Sequence, residues 1–288
     1  MKYNETVKAV GQILTLYTMP LTLRQIFYRL VAARIIANTL TNYKTLSRIL
    51  VRARERGDID ENRIEDRSRE TIGGDWGYDD PGQFLAKELE SFKKCYENYI
   101  RSFWQDQPYR VEVWLEKDAL SRLVADVARE YRVTVCPARG YGSYSYIRNG
   151  AGRFAGDKPT VVLYFGDWDP SGLDITRDLR ERLERYGAKN FQVCRVALTP
   201  EQIRRYKLPP MPAKRDDPRY AKFVADTGSG DAVELDALEP DVLQRLVRKS
   251  IVEYIDRRIW DATQRQIKQD REWIKWKLAG LRFTVTES

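Results

Sequence analysis

With 288 residues the chain can bury a substantial core and has room for one or two domains. Its 50 Lys and Arg against 42 Asp and Glu leave a net charge of +8, which favours an anionic partner, nucleic acid ahead of a membrane surface. There is no histidine, so Ser-His-Asp, Cys-His and His-metal chemistry are excluded together, and any catalysis falls to carboxylates, Lys, Arg, Tyr, Ser or Cys.

No apolar run approaches a membrane span, and the start, Met1 to Glu5, lacks a signal peptide's hydrophobic region. Cys95, Cys136 and Cys194 are odd in number and far apart, as expected of reduced thiols in a cytosol rather than of a disulfide or zinc framework. The expected location is therefore cytoplasmic, and nucleoid-associated in a prokaryote.

Taken in order, Val7, Val10, Leu14 and Tyr17 stand at helical spacing. Met19-Pro20 breaks that helix, and Thr22 can cap the next, expected over Leu23–Ala37. Within it Leu23, Ile26, Phe27, Leu30 and Val31 define a buried stripe. Tyr28 falls off the stripe with Arg24 one turn earlier on the same side, so the phenol is expected to face solvent beside a guanidinium. A phenol is a poor nucleophile unless a cation or metal stabilises its anion, and Arg24 is suited to that. Taken alone, Tyr28 reads as ordinary surface. A third helix is expected over Asn42–Arg56, with Leu46, Ile49, Leu50 and Ala53 inward and Lys44, Arg48, Arg52, Arg54 and Arg56 outward. Ile64–Arg69 reads as a short hairpin. Three helices and a charged ribbon outline a winged helix, whose basic third helix suits a DNA groove through Lys44, Arg48 and Arg52. A solvated helix face is the alternative.

The glycine-rich stretch Gly73–Gly82 is expected to be a linker, dividing the chain into residues 1–72, a linker over 73–83, and residues 84–288. Phe84–Phe103 has the pattern of one long amphipathic helix. Arg110–Lys117 reads as a strand that delivers Glu116 where a new helix begins. Val133–Cys136 is a further strand, followed by a loop in which Arg139 is a candidate phosphate contact, an ordinary turn being the alternative. Val161–Phe165 reads as a buried strand of a parallel sheet. It ends on Gly166 and is followed at once by Asp167 and Asp169, before Pro170-Ser171-Gly172 turns the chain into a helix. Acids at the carboxyl ends of parallel strands sit where open α/β sheets bind ligands, and as hard oxygen donors they suit Mg²⁺. A helix cap and a solvated acid are the plainer reading. Phe191–Leu198 is another strand, Thr199 to Gln202 a helix start, and Leu208–Arg219 a surface loop. Glu234 and Asp236 are expected to return towards the sheet edge, and residues 240–278 to be mostly helical. The fold class expected is α/β: an N-terminal winged helix, a parallel-sheet domain and a helical C-terminal extension.

A glutamate at one strand end with D-x-D at another resembles the Toprim fold. Leu23-Arg24-Gln25-Ile26-Phe27-Tyr28-Arg29 resembles the catalytic-tyrosine helix of the type IIB topoisomerase (topoisomerase VI) A subunit and the related meiotic double-strand-break protein, in which an arginine stands four residues before the tyrosine. Leu115-Glu116-Lys117 resembles the family's Val-Glu-Lys, and Gly166-Asp167-Trp168-Asp169-Pro170-Ser171-Gly172 its Gly-Asp-Pro-Asp-Pro-Tyr-Gly. The resemblance spans roughly residues 5–255 and is greatest to the compact stand-alone mini-A proteins. It implies that Tyr28 attacks a DNA phosphodiester to form a 5′-phosphotyrosyl link, with Arg24 stabilising the phosphate. It further implies that Glu116, Asp167 and Asp169 hold Mg²⁺. A homodimer with a composite site is implied too, the tyrosine coming from one protomer and the metal from the other. Trp168 and Ser171 depart from the family's proline and tyrosine. The segment before Tyr28 is short for an A subunit, which leaves an ATPase B-type partner open. Two rival readings stand beside this one: a hydrolytic Toprim nuclease, and a non-catalytic winged-helix DNA-binding protein.

Overall fold

The computed structural model describes residues 2–65, 77–138 and 140–281. The end of the expected hairpin, part of the glycine-rich linker and Arg139 lie outside the described residues. Packing gathers the chain into two compact units, Met1–Arg69 with Tyr109–Tyr254, and Glu70–Pro108 with Ile255–Ser288. The expected boundaries at residues 72 and 84 assumed contiguous domains. Instead, the three N-terminal helices share a unit with the parallel sheet, and the stretch beginning at Glu70 joins the C-terminal helix.

The first unit opens with α1 (Tyr3–Thr15), the short β1 (Leu21–Thr22) and α2 (Leu23–Ala32). Thr22 starts α2 with a reciprocal capping box: its hydroxyl accepts from Gln25 N at 3.2 Å, and the Gln25 side chain accepts from Thr22 N at 2.8 Å. The helix stops at Ala32 rather than Ala37 because Arg34 takes a left-handed φ of 58°, where Ile35 N donates back to Leu30 O at 2.9 Å. In α3 (Leu40–Glu55) Leu46, Leu50 and Ala53 are buried and Lys44, Arg48 and Arg52 exposed, as expected, while Ile49 and Arg54 are both half-buried. Strand β2 (Ile64–Glu65) pairs in parallel with β1, so the expected hairpin over Ile64–Arg69 is replaced at its start by a long-range pairing.

In the second unit, α4 (Pro81–Lys93) ends well before Phe103 and gives way to a 3-10 turn, Cys95–Asn98, so the expected helix is interrupted. The remaining elements of the first unit follow. They are β3 (Arg110–Leu115), α5 (Ser121–Glu130), β4 (Thr134–Pro137), α6 (Tyr144–Arg153), β5 (Thr160–Phe165), α7 (Pro170–Arg185) and β6 (Phe191–Ala197). After them come α8 (Pro200–Arg205), β7 (Met211–Pro212), α9 (Tyr220–Thr227), β8 (Asp231–Ala232) and α10 (Pro240–Val252). The last helix, α11 (Arg257–Ala279), belongs to the second unit, where Arg101 meets Asp270 at 2.5 Å and the Phe103 and Trp260 rings lie 4.3 Å apart. No helix among the described residues is long and apolar enough to cross a membrane.

The main sheet is parallel throughout, in the order β4-β3-β5-β6. Every residue of β5 is buried, as its unbroken apolar run requires of a strand covered on both faces. Trp114, Val162 and Tyr164 pack with Ile147 and Ala151 of α6, with Phe154 just after it, and with Ile175, Leu179 and Leu183 of α7. Gly150 permits this approach, since a Cβ there would lie 2.9 Å from the Trp114 ring. Glu112 is buried inside this layer but satisfied: Arg153 grips both its oxygens at 2.7 Å, and Trp114 Nε1 donates at 3.1 Å. With β3 and β5 central and adjacent, their carboxyl ends necessarily bring Glu116 beside Asp167.

Candidate active site

At the carboxyl edge, the ladder continues past the strands, with Glu116 N donating to Phe165 O at 2.9 Å and Gly166 N to Ala197 O at 2.8 Å. Glu116 Oε2 accepts from Asp167 N at 2.9 Å and lies so close to Gly166 that a Cβ there would stand 2.6 Å from it. Only glycine lets this carboxylate cross the strand end. Asp169 caps α7, its Oδ1 accepting from Gly172 N at 2.6 Å and Ser171 Oγ at 2.9 Å. From β6, Arg195 donates to Gly172 O at 2.9 Å, Gly166 O at 3.1 Å and the Asp167 carbonyl, fixing the backbone of the D-x-D turn. Sequence reasoning missed Arg195; its one signal is a guanidinium inside the mostly apolar strand Phe191–Ala197. The turn has no slack, because a Cβ on Gly172 would lie 2.3 Å from the Asp167 carbonyl oxygen. Gly172→Ala is therefore expected to cost about 1–3 kcal/mol in urea unfolding, the usual penalty of overpacking. A loss near zero would show that the turn can yield.

The centre of the site is Lys117, which follows Glu116. Its ammonium lies 2.7 Å from Glu234, 2.7 Å from Asp236 and 3.1 Å from Asp167. Burial works against the charge, but Asp236, Asp167 and Glu234 outweigh it and hold the ammonium well above the ordinary lysine range. Glu234 in turn also accepts from the guanidinium of Arg24 on α2, 210 residues away in sequence. Burial raises the Glu234 carboxyl, yet Lys117 and Arg24 together bring it below its usual value. The acids arrive on the segment Val233–Leu238, which is zipped to the D-x-D turn by Trp168 N to Val233 O and Val233 N to Trp168 O, both 2.8 Å. Leu235 N completes the join by donating to Asp167 Oδ1 at 2.7 Å. The return of Glu234 and Asp236 to the sheet edge is thus as expected, whereas their partnership with Lys117 and Arg24 had no local signal.

The same segment corrects the expectation for Tyr28. The phenol does not face solvent: only 3% of the residue is exposed. Periodicity gave α2 one buried stripe, but Arg29 on its other side bonds the Ala237 carbonyl and pairs with Glu239 at 3.3 Å, drawing that side onto Leu235–Leu238. The nearest partner of the hydroxyl is a sulfur, Met211 Sδ, at 4.0 Å. Burial, then Glu234, push the phenol above its ordinary pKa, against the opposing pull of Lys117 and Arg24.

Asp167 is buried and its carboxyl is pushed up to about 7 by burial and by Glu116, with Lys117 opposing. Glu116 is likewise raised, by burial and then by the charge of Asp169. Glu116, Asp167 and Asp169 therefore share one electrostatic neighbourhood, although no group of three such residues is gathered as a ready cation site among the described residues. As donors they suit a hard divalent ion, which would relieve the mutual repulsion that raises Glu116. Asp236 Oδ1 adds a buried carboxylate oxygen with no hydrogen-bond partner. Beside this edge lies a cavity of about 760 Å³ lined by Arg24, Tyr43, Ser47, Arg54, Glu116 and Lys117 among others. Lys44, Arg48 and Arg52 are on the exposed face of α3, with the Arg52 guanidinium 5.3 Å from the Tyr3 ring centre. No family model and no curated protein sequence matches the chain.

Proposed function

We propose that the protein cleaves DNA through Tyr28, in the manner of a topoisomerase VI A subunit, with Mg²⁺ at the carboxylate edge. What supports this is one juxtaposition: Arg24, one turn before Tyr28, is ion-paired to Glu234, which is itself bonded to Lys117 beside Glu116 and Asp167. In the proposed step the Tyr28 oxygen attacks phosphorus and its proton passes to water. The bond from phosphorus to the 3′ oxygen breaks, and that oxygen takes up a proton, leaving a 5′-phosphotyrosyl link. Arg24 stabilises the charge that builds on the phosphate. Glu116, Asp169 and Asp167 are the residues that would hold Mg²⁺, whose positive charge would favour a nearby phosphate. Exposed Lys44, Arg48 and Arg52 supply cations for the rest of the duplex. Cleavage of both strands calls for two copies of the chain, so a homodimer is part of the proposal.

A hydrolytic Mg²⁺ nuclease using the acids alone is the second reading, and the burial of Tyr28 favours it. The two separate in one experiment. Internally labelled supercoiled DNA is incubated with wild type or Tyr28→Phe, in Mg²⁺ or EDTA, stopped with SDS and resolved with and without protease. Label trapped on wild-type protein in Mg²⁺, and reduced at least about 100-fold in Tyr28→Phe, is the expected result. Free ends that persist in Tyr28→Phe would replace the tyrosine mechanism with hydrolysis.

A further inference from the structure

Glu234 occupies the kind of place in which a phosphodiester is normally held. Its Oε2 accepts at once from the Arg24 guanidinium, brought by α2, and from the Lys117 ammonium at 2.7 Å, brought by the end of β3. One oxygen shared by a guanidinium and an ammonium is the geometry with which proteins hold phosphate oxygens. The Tyr28 phenol lies in the field of the same three groups. Lys117 has two further carboxylate partners, Asp236 and Asp167, that remain when Glu234 lets go. The side chains of those two carboxylates are 1% and 10% exposed, while that of Glu234 is 19% exposed. The cavity of about 760 Å³ opens on Arg24 and Lys117, and its walls carry Tyr43, Leu50 and Val51, enough room and apolar surface for a nucleotide. The Arg24 guanidinium stands 5.4 Å from the Tyr43 ring centre, which fixes its orientation towards that space.

We propose that Arg24 and Lys117 form a phosphodiester-binding site, and that the Glu234 carboxylate fills it in the free protein as an internal stand-in that DNA displaces. The proposal deepens the reading above and takes from it that the ligand is DNA. Lys117 becomes a second phosphate contact, and Glu234 a residue that restrains binding. An internal competitor lowers apparent affinity by the fraction of molecules in which it has let go. Neutralising it should therefore tighten DNA binding, the reverse of what loss of a binding residue does.

The test is binding of a short fluorescein-labelled duplex, followed by anisotropy in EDTA so that cleavage plays no part. Glu234→Gln is expected to bind about five- to tenfold more tightly than wild type. The surface control Glu201→Gln, an exposed acid on α8, changes net charge equally and is expected to shift affinity by less than about twofold. Adding Arg24→Gln to Glu234→Gln should abolish the gain. Equal or weaker binding by a folded Glu234→Gln, or a gain no larger than that of Glu201→Gln, overturns the proposal. If Glu234→Gln does not fold, Glu234→Asp keeps the charge but shortens the reach, and about a two- to threefold gain is then required. Covalent trapping in Mg²⁺ on the same proteins separates the two readings. A binding gain with no trapping by wild type sinks the cleavage reading and leaves the stand-in; trapping without a gain does the reverse.

Discussion

In EDTA the protein is expected to melt at steadily lower temperature as pH rises from about 5 to about 8, and Asp167→Asn is expected to remove most of that slope. The cause is the Asp167 carboxyl, pushed up to about 7 by burial first and by Glu116 and Glu234 next, against Lys117 and the Leu235 N–H. In the unfolded chain an aspartate titrates near about 3.9. Between those two values the folded chain holds a proton that the unfolded chain has released. Stability is therefore greatest at the acid end of the window and is withdrawn as pH climbs through about 7, by a few kcal/mol in all. Glu234, held low, has the opposite sign, and its contribution is lost only as pH falls through its own depressed value. The two effects thus lie on different sides of the window. Mg²⁺ added at about pH 8 is expected to restore melting temperature, and at about pH 5 to do little, because a protonated carboxyl is a poor ligand. Differential scanning fluorimetry across pH, with and without Mg²⁺, checks all of this. A wild-type profile parallel to that of Asp167→Asn would dismiss the assignment.

Lys117→Met is expected to destabilise the protein by about 3–5 kcal/mol in urea unfolding near neutral pH. Methionine replaces the stem in kind, so the loss is one of charge rather than volume. Without the ammonium, Asp236, Asp167 and Glu234 are left as clustered carboxylates, with Arg24 reaching only Glu234. Lowering the pH should recover part of the loss, since protonation removes the repulsion. Lys117→Arg should not rescue, because a planar guanidinium cannot take three acceptors at 2.7–3.1 Å around one nitrogen. A loss below about 1 kcal/mol would mean that the three carboxylates do not depend on this cation.

Local chemistry made much of the architecture legible. The apolar run Val161–Phe165 followed by acids marked β5 and its carboxyl end, and the cap at Thr22 and the capping box at Thr199 marked two helix starts. What periodicity could not supply was the second side of α2. Nothing near Tyr28 encodes the approach of Leu235–Leu238 to α2 or of Met211 to the phenol, both from distant parts of the chain. The setting of Lys117 has no local signal, because the three acids around it come from two distant segments. The end of α2 was missed for a smaller reason: its reversal rests on Arg34, not on the glycine that usually signals a left-handed residue. Phe84–Phe103 kept a helical pattern in its apolar residues while the backbone left the helix after Lys93, so pattern alone overran the boundary.

The split of the second unit between residues 70–108 and 255–288 has a consequence for how the protein is made. A ribosome finishes the sheet and its helices when Tyr254 emerges, with every member of the Lys117 cluster already in place. The stretch from Glu70 to Pro108 has by then been waiting through the synthesis of the whole α/β region for Trp260 and Asp270, which meet Phe103 and Arg101. Throughout that interval Phe103 and Arg101 lack these partners. A stop codon placed just after the codon for Tyr254 would yield a chain with the Lys117 cluster complete and a permanently orphaned segment, the kind of nascent surface that chaperones and proteases recognise.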